Sequence, residues 1–391
     1  MPHDPIDQAR ERFVRSGIVA LVAAVLALIA MLTWSADASA TPGVGAWGAR
    51  VVVPGTFSGM TAAGGSLYAV REAASGPPAR GTRVVRIDAR SGRVLATSAV
   101  FPGVGSPLVV GGSLWLAGVT FVSRDARREG PPVLDELNPR TLQRERTVAL
   151  AGNQDPEMAG GPGGILWTAQ STTSGCLLRR LDPLTGAALP GDRSTVGTGP
   201  CAGITVDTSG ASLYVVSGPA GPVADGLYRL DARTGLVTGE TSVPPLSVDM
   251  VLAATAGGLW ISGGEPGTNG SLLFFSTSPL RLTSASTEEG GRSNTELGGA
   301  TGPSLPTFGQ FPVVDLSGGT VWVGSDGLLA CLDPTDDTEL ASISQRRAPV
   351  VTGALTDVAG SRSGMWAIAG FSAPGPDAGL ARLDPPAACS A

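Results

Sequence analysis

Acid–base catalysis near neutral pH falls most often to histidine, and this chain has one, His3, near its N-terminus. The rest of the chain therefore holds no histidine base, no histidine metal ligand and no Ser-His-Asp triad. Four cysteines remain: Cys176, Cys201, Cys331 and Cys389. Their count is even and no Cys-x-x-Cys spacing occurs, so two disulfides fit better than a zinc site. Four cysteines allow three pairings. An acidic run, Asp333, Asp336, Asp337 and Glu339, offers hard oxygen ligands but lacks the spacing of a calcium loop, and reads as a solvated turn. The densest charge cluster is Arg124, Asp125, Arg127, Arg128 and Glu129. It is the candidate partner-binding loop, and its blander reading is a solvated loop tip.

The elements that position these groups are foreshadowed by composition. The chain has 391 residues, 42% hydrophobic, with 56 Gly and 31 Pro. Disorder needs low hydrophobicity, so this mixture points to many short strands joined by tight turns. The net charge of −6 leaves no basic footprint for nucleic acid.

The N-terminus is organised differently. Arg10, Arg12 and Arg15 stand against Asp4, Asp7 and Glu11, and Ser16 to Ala36 carries no charge. As a helix that segment spans roughly 31 Å, about the thickness of a bilayer core. The flanking arginines keep residues 1–15 in the cytoplasm and send the body out. Two fates fit residues 16–36. They stay as a signal anchor, or they are a signal peptide cleaved after Ala40 at Ala38-Ser39-Ala40. Either way the body is extracytoplasmic. Residues 37–46 read as a linker.

From there a phrase of small residues, an aliphatic and an aromatic recurs. It ends at Tyr68, Trp115, Trp167, Tyr214, Trp260, Trp322 and Trp366, at intervals of 44 to 62 residues. A second phrase, an apolar strand closing in Asp before a turn, follows most copies. Examples are Arg180-Leu181-Asp182-Pro183-Leu184-Thr185-Gly186 and Arg229-Leu230-Asp231-Ala232-Arg233-Thr234-Gly235. Aspartate caps such a turn, and glycine supplies the left-handed residue that re-enters a strand. Each unit thus reads as four strands, a to d, with the aromatic on b and the Asp turn between c and d. Four-stranded units of this length in a ring form a seven-bladed all-β propeller over residues 47–391, preceded by one N-terminal hydrophobic helix. The seventh unit runs out of chain before its fourth strand. Ala49–Val53 belongs to no other blade, so it is expected to supply that outer strand and close the ring.

The fold sharpens the other candidates. The aromatics belong to blade packing rather than to ligand stacking. Cys176, between strands b and c of blade three, and Cys201, between blades three and four, share one face of the ring. That favours Cys176–Cys201, leaving Cys331–Cys389 to pin the tail to blade six. Asp207 and Asp315 each precede their aromatic by seven residues. They are either channel-facing cation ligands or, the favoured reading, turn residues closing strand a. Long b–c loops in blades one (Arg71–Thr82), two (Thr120–Pro132), four, five and seven, with a Ser/Thr/Gly-rich insertion at Thr283–Phe311, put the elaboration on one face. The b–c link of blade six is nearly absent.

These Gly-Gly-x-Leu-Trp and Leu-Asp-Pro-x-Thr-Gly phrases resemble propeller repeats of the bacterial YVTN, NHL and PQQ-like families. The resemblance covers roughly residues 45–391 and implies the fold; those families include binders, scaffolds and enzymes. Trp-Asp repeats are disfavoured because no blade ends in that dipeptide. Kelch repeats are disfavoured because the double Gly precedes the aromatic. Streptogramin lyases are similar in fold and repeat, but that family's mechanism uses a histidine base with Mg²⁺, and the body of this chain has no histidine. The Trp-rich docking phrases of quinoprotein dehydrogenases find no match.

The expectation is a monomeric, non-catalytic binding propeller with no cofactor. Its partner is an envelope protein, a glycan or a small molecule, met on the loop-rich face, with membrane contact through residues 16–36 if uncleaved. The alternative is a lyase or hydrolase working through carboxylates, with or without a metal.

Overall fold

The computed structural model describes residues 48–391 apart from 73–80, 102–103, 122–128, 151–155, 219–224, 245–249, 265–269, 287–312, 318–319, 326–327, 335–338, 345–354, 362–363, 370–378, 387–388 and 390–391. All belong to one compact unit, Gly45–Ala391. The expected tail, apolar helix and linker at 1–15, 16–36 and 37–46 lie outside the described residues. Among the described residues no helix is long and apolar enough to cross a membrane.

The described residues form seven four-stranded antiparallel sheets. Strand β1 (Gly48–Pro54) comes first. Blade one is β2 (Phe57–Ala63), β3 (Ser66–Glu72), β4 (Thr82–Asp88) and β5 (Val94–Thr97). Blade two is β6 (Val104–Val110), β7 (Ser113–Phe121), β8 (Glu129–Leu137) and β9 (Arg144–Ala149). Blade three is β10 (Glu157–Gly160), β11 (Leu166–Thr172), β12 (Gly175–Leu181) and β13 (Ala188–Val196). Blade four is β14 (Cys201–Val206), β15 (Ser212–Ser217), β16 (Asp225–Asp231) and β17 (Val237–Val243). Blade five is β18 (Val251–Ala254), β19 (Gly258–Gly264), β20 (Gly270–Thr277) and β21 (Leu280–Ser286). Blade six is β22 (Val313–Ser317), β23 (Thr320–Ser325), β24 (Leu328–Leu332) and β25 (Glu339–Ser344). Blade seven is β26 (Leu355–Ser361), β27 (Gly364–Ala369) and β28 (Gly379–Asp384), completed by β1. The inner strands pack in sequence from β2 to β26, and β26 packs on β2, so the ring is closed.

Closure follows the leftover-strand argument. β1 runs antiparallel to β28, with Gly48 opposite Asp384 and Pro54 opposite Gly379. The strand spans slightly more than the expected Ala49–Val53. The insertion between blades five and six is shorter than expected. Residues 283–286 are already paired in β21, so only 287–312 separates the blades. In blade two, Glu129 is not a loop residue; it pairs with Phe121.

Among the described residues the core consists of seven apolar clusters, one at each seam between neighbouring blades. Strand geometry dictates this. Successive side chains leave opposite faces of a sheet, so each blade serves two seams. In β11, Trp167 and Ala169 fill the seam to blade four, while Leu166 fills the seam to blade two. Every strand-b aromatic faces the following blade and is at most 5% exposed.

A second device sits beside each aromatic, at the position paired with it on strand c. There Arg86, Arg180, Arg229 and Arg382 each reach a backbone carbonyl in the next blade's c–d turn. The acceptors are Arg140, Arg233, Thr277 and Arg90 respectively. Blade two has Glu136 at this position. It pairs with Arg146 at 3.1 Å, and Arg146 makes the reach instead, to the Leu184 carbonyl. Blade five has Phe274, packed on Trp260 at 4.6 Å. Blade six has Cys331, where the reach is covalent.

The turns follow the sequence chemistry. Asp88, Asp182 and Asp231 each accept backbone N–H bonds from the following residues, and Gly92, Gly186 and Gly235 take positive φ. Asp88 and Asp231 are held below the ordinary aspartate value, mainly by the hydroxyls of Ser91 and Thr234. Blade two hides the same turn. Asn138 replaces the aspartate, and Leu142 (φ 60°) takes the glycine position while burying its side chain in the seam.

The residue after the turn aspartate controls one more bond. In blades one and four it is alanine, whose N–H is tied to its own a–b turn, Ala89 to Gly65 and Ala232 to Ala211. Its carbonyl accepts the indole N–H of the preceding blade, Trp366 at 3.2 Å and Trp167 at 3.0 Å. In blades three and six it is Pro183 or Pro334, which has no N–H to give. There the preceding indole N–H groups, of Trp115 and Trp260, are buried without an acceptor. Trp167→Phe should therefore cost about 1 kcal/mol more than Trp115→Phe, because only the first breaks a hydrogen bond. Denaturant unfolding of both variants measures this, and equal costs would refute the assignment.

Candidate functional site

The two ends of the ring differ. The a–b and c–d links are short and, among the described residues, hydrogen-bonded, and make a turn face. The b–c and d–a links make a loop face, which carries the long connections 73–81, 122–128, 219–224, 287–312 and 370–378. The candidate partner-binding residues Arg124, Asp125, Arg127 and Arg128 fall in this set and lie outside the described residues.

Both disulfides are present. Cys176–Cys201 joins blades three and four, with Cα atoms 4.7 Å apart, and Cys331–Cys389 ties the tail to blade six at 5.9 Å. Cys176 corrects the sequence reading in one respect. It lies inside β12, paired with Ser171, rather than between strands b and c. The reason is the b–c link of blade three, a tight turn closed by Thr172 Oγ1 donating to the Gly175 carbonyl. On the other side, Thr320 Oγ1 donates to the Cys389 carbonyl, so the tail is held by a hydrogen bond beside its disulfide. Two disulfides are the chemistry of an oxidising compartment.

The carboxylates separate into two kinds. Asp207 closes strand a of blade four. Its Oδ1 accepts the Ala211 N–H and the Ser209 hydroxyl, and its Oδ2 accepts the Ser212 N–H. That is the turn role expected of it. Asp315 is not a turn residue. It sits within β22, paired with Trp322, on an inner strand. The equal spacing misled because the a–b turn of blade four is longer than that of blade six. Of the acidic run, Asp333 follows β24 and Glu339 opens β25, which places it at the c–d turn of blade six. Asp336 and Asp337 lie outside the described residues. Among the described residues no three His, Cys, Asp or Glu side chains converge as a metal site.

The residue that sequence reasoning missed is Asp357, on the inner strand of blade seven. Its Oδ2 accepts the Met60 N–H of blade one at 2.6 Å, and its Oδ1 accepts the N–H of Val358 at 2.8 Å. The carboxyl thus spans the closure seam on the channel side. Its environment is apolar. Of the strands packed on β26, namely β2, β22, β23 and β27, only β22 brings a charged group, Asp315. Burial, opposed by the Met60 N–H and reinforced by the charge of Asp315, pushes the Asp357 carboxyl up to about 8. At neutral pH it is mostly protonated, next to a second carboxyl on the neighbouring strand. The one signal available in the sequence is an aspartate within an otherwise uncharged inner strand, nine residues before Trp366.

No family model matches this chain, and no curated protein matches it. Among solved structures it is similar to hydrazine synthase of Kuenenia stuttgartiensis, with a TM-score of 0.60 and 13% identity, over 86% of this chain and 97% of that one. It is also similar to a chain of a mitotic checkpoint complex, with a TM-score of 0.53 and 14% identity, over 86% and 90%. At such identities the likeness shows the propeller fold alone, and membership of the YVTN, NHL or PQQ-like families is not shown.

Asp357 makes stability depend on pH in a fixed direction. Its folded pKa lies above the unfolded value near 3.8, so folding takes up a proton between the two. The stability it permits is complete below about pH 4 and is lost progressively as pH rises to about 8. Asp357→Asn should flatten the Tm profile across that window and raise Tm at pH 9 above that of the parent. Melting curves at pH 5, 7 and 9 test this, and an unchanged profile would rule out titration at this site.

Proposed function

We propose that this chain is a non-catalytic extracytoplasmic binding propeller that recognises a partner through its loop face. It is held at a membrane by residues 16–36, or secreted after cleavage following Ala40. The observation that carries the reading is the division of the ring into two faces. One is locked by short, hydrogen-bonded turns, and the other bears every long connection. Variable loops on a rigid ring are where recognition is built. The disulfides fit an oxidising compartment, and the body offers no histidine for acid–base chemistry. The repeat phrases keep the YVTN, NHL and PQQ-like propellers as the family expectation. The partner is an envelope protein, a glycan or a small molecule, and the protein acts as a monomer without a cofactor.

One observation favours a second reading, a lyase or hydrolase using carboxylates. Asp357, pushed up to about 8 by burial, stands near a second carboxyl, Asp315, and a carboxyl that keeps its proton is one that can act as a general acid. It predicts turnover that is lost in Asp357→Asn and changed by EDTA.

The deciding experiment captures the tagged full-length protein from its own membranes. A stoichiometric protein partner should copurify, and Arg124→Glu/Arg127→Glu/Arg128→Glu should lose it without changing Tm. Capture unaffected by these changes would remove that loop from the reading. Turnover by the pure protein that vanishes in Asp357→Asn would replace the binding reading with the catalytic one.

A further inference from the structure

We infer that the turn face of blades one to four rests on the lipid surface to which the chain is anchored. The inference deepens the proposed function and rests on residues 16–36 acting as an anchor.

Where the chain joins the ring is the first observation. β1 begins opposite Asp384, at the c–d turn end of β28, and finishes opposite Gly379 at the loop end. The polypeptide therefore reaches the ring from the turn face. Between the uncharged segment ending at Ala36 and Gly48 there are only residues 37–47. Fully extended, they span at most roughly 40 Å. With residues 16–36 in a bilayer, the tether joins the ring on its turn face.

The second observation is what the turn face exposes. Leu184, in the c–d turn of blade three, is 70% exposed, and Leu236, in that of blade four, is 68% exposed. Val237 follows Leu236, and Val94 and Leu95 open the outer strand of blade one; all three are exposed. Of the large exposed apolar side chains among the described residues, only Val100 and Val251 lie towards the loop face. No packing inside the ring calls for leucine at these turn tips, since the turn carbonyls and N–H groups are bonded whatever the side chain. Between the apolar tips stand Arg90, Arg93, Arg140 and Arg233, all exposed.

Leucine tips set among arginines match a lipid headgroup region. The apolar ends enter the acyl boundary, and the guanidinium groups stay with phosphate. The turn aspartates Asp88, Asp182 and Asp231 accept their own turn N–H bonds, which hold Asp88 and Asp231 ionised, so the apolar tips rather than a net positive charge carry the contact. The acidic c–d turn of blade six, at Asp333, lies three blades from blade three. The contact therefore belongs to the sector of blades one to four, with blade six tilted away.

The native cysteines are all in disulfides, so an introduced cysteine is the one free thiol available for labelling. The full-length chain is reconstituted in phosphatidylcholine–phosphatidylglycerol vesicles. It carries an environment-sensitive fluorophore at Leu184→Cys or Leu236→Cys, or at Ser174→Cys in the loop-face turn of blade three. Nitroxide-labelled lipid should quench positions 184 and 236 at least twofold more than 174, with blue-shifted emission. Equal quenching at the three positions, in chain that stays in the vesicles after an alkaline carbonate wash, overturns the docking. Chain that washes off overturns the anchor reading, and the docking with it.

Discussion

Everything in this molecule depends on filling the seam between the last blade and the first. A single four-stranded sheet has two apolar faces and can cover neither alone, so burial comes only from neighbours. Six seams follow from chain continuity. The seventh joins residues at opposite ends of the propeller and must be made by side chains and one borrowed strand. It is held at three heights. β1 pairs with β28 on the outside, Trp366 and Arg382 reach the Ala89 and Arg90 carbonyls at the turn face, and Asp357 takes the Met60 N–H at the channel. Between them lies a cluster that includes Phe57, Leu67, Ile87, Trp366, Ile368 and Leu380. Each such side chain contributes about 1.5–3 kcal/mol on burial, so an open ring would forfeit far more than any single polar contact supplies.

The same seam position carries different chemistry around the ring. Opposite the strand-b aromatic, four blades use an arginine, one a glutamate with a relayed arginine, one a phenylalanine and one a cysteine. In every blade but the fifth, what is kept is the reach to the next blade, not the residue. The cysteine falls where the next blade's c–d turn does not exist, because blade seven takes its outer strand from the N-terminus. The tail beyond β28 stands in that place, held by the disulfide to Cys389 and by the Thr320 hydroxyl donating to the Cys389 carbonyl. The covalent bond thus compensates for the way the ring is closed.

Periodicity made the fold legible. A phrase recurring seven times fixes the blade count, and a leftover apolar strand beside an incomplete last blade predicts the closure. What lacked a period was lost. Asp357 is one carboxylate in one inner strand, and its partner is a backbone N–H nearly 300 residues away in sequence. Equal spacing put Asp207 and Asp315 together, although one caps a turn and the other lies within the inner strand β22, since a difference in turn length shifts a residue from turn to strand. Blade two's turn went unseen because Asn138 and Leu142 replace the aspartate and glycine that mark the others. The loop boundaries slipped at Cys176, Glu129 and residue 286, where strands run further than their turn residues suggest.

The two faces are under different constraints, and this decides where change is tolerated. On the turn face the backbone closes on itself. The turn aspartates cap their own N–H groups, glycines hold left-handed conformations, and the carbonyls receive side chains from the preceding blade. A residue whose backbone is so engaged is held by its main chain, and its side chain is free to vary if it points outward, as Leu184 and Leu236 do. On the loop face, among the described residues, Cys176–Cys201 is a covalent tie between blades. Length can vary there without disturbing a seam, because loop closure costs little extra as loops grow. A propeller of this kind can therefore alter its recognition loops without altering its ring. The turn face stays regular in backbone while its outward side chains set what that side of the ring rests against.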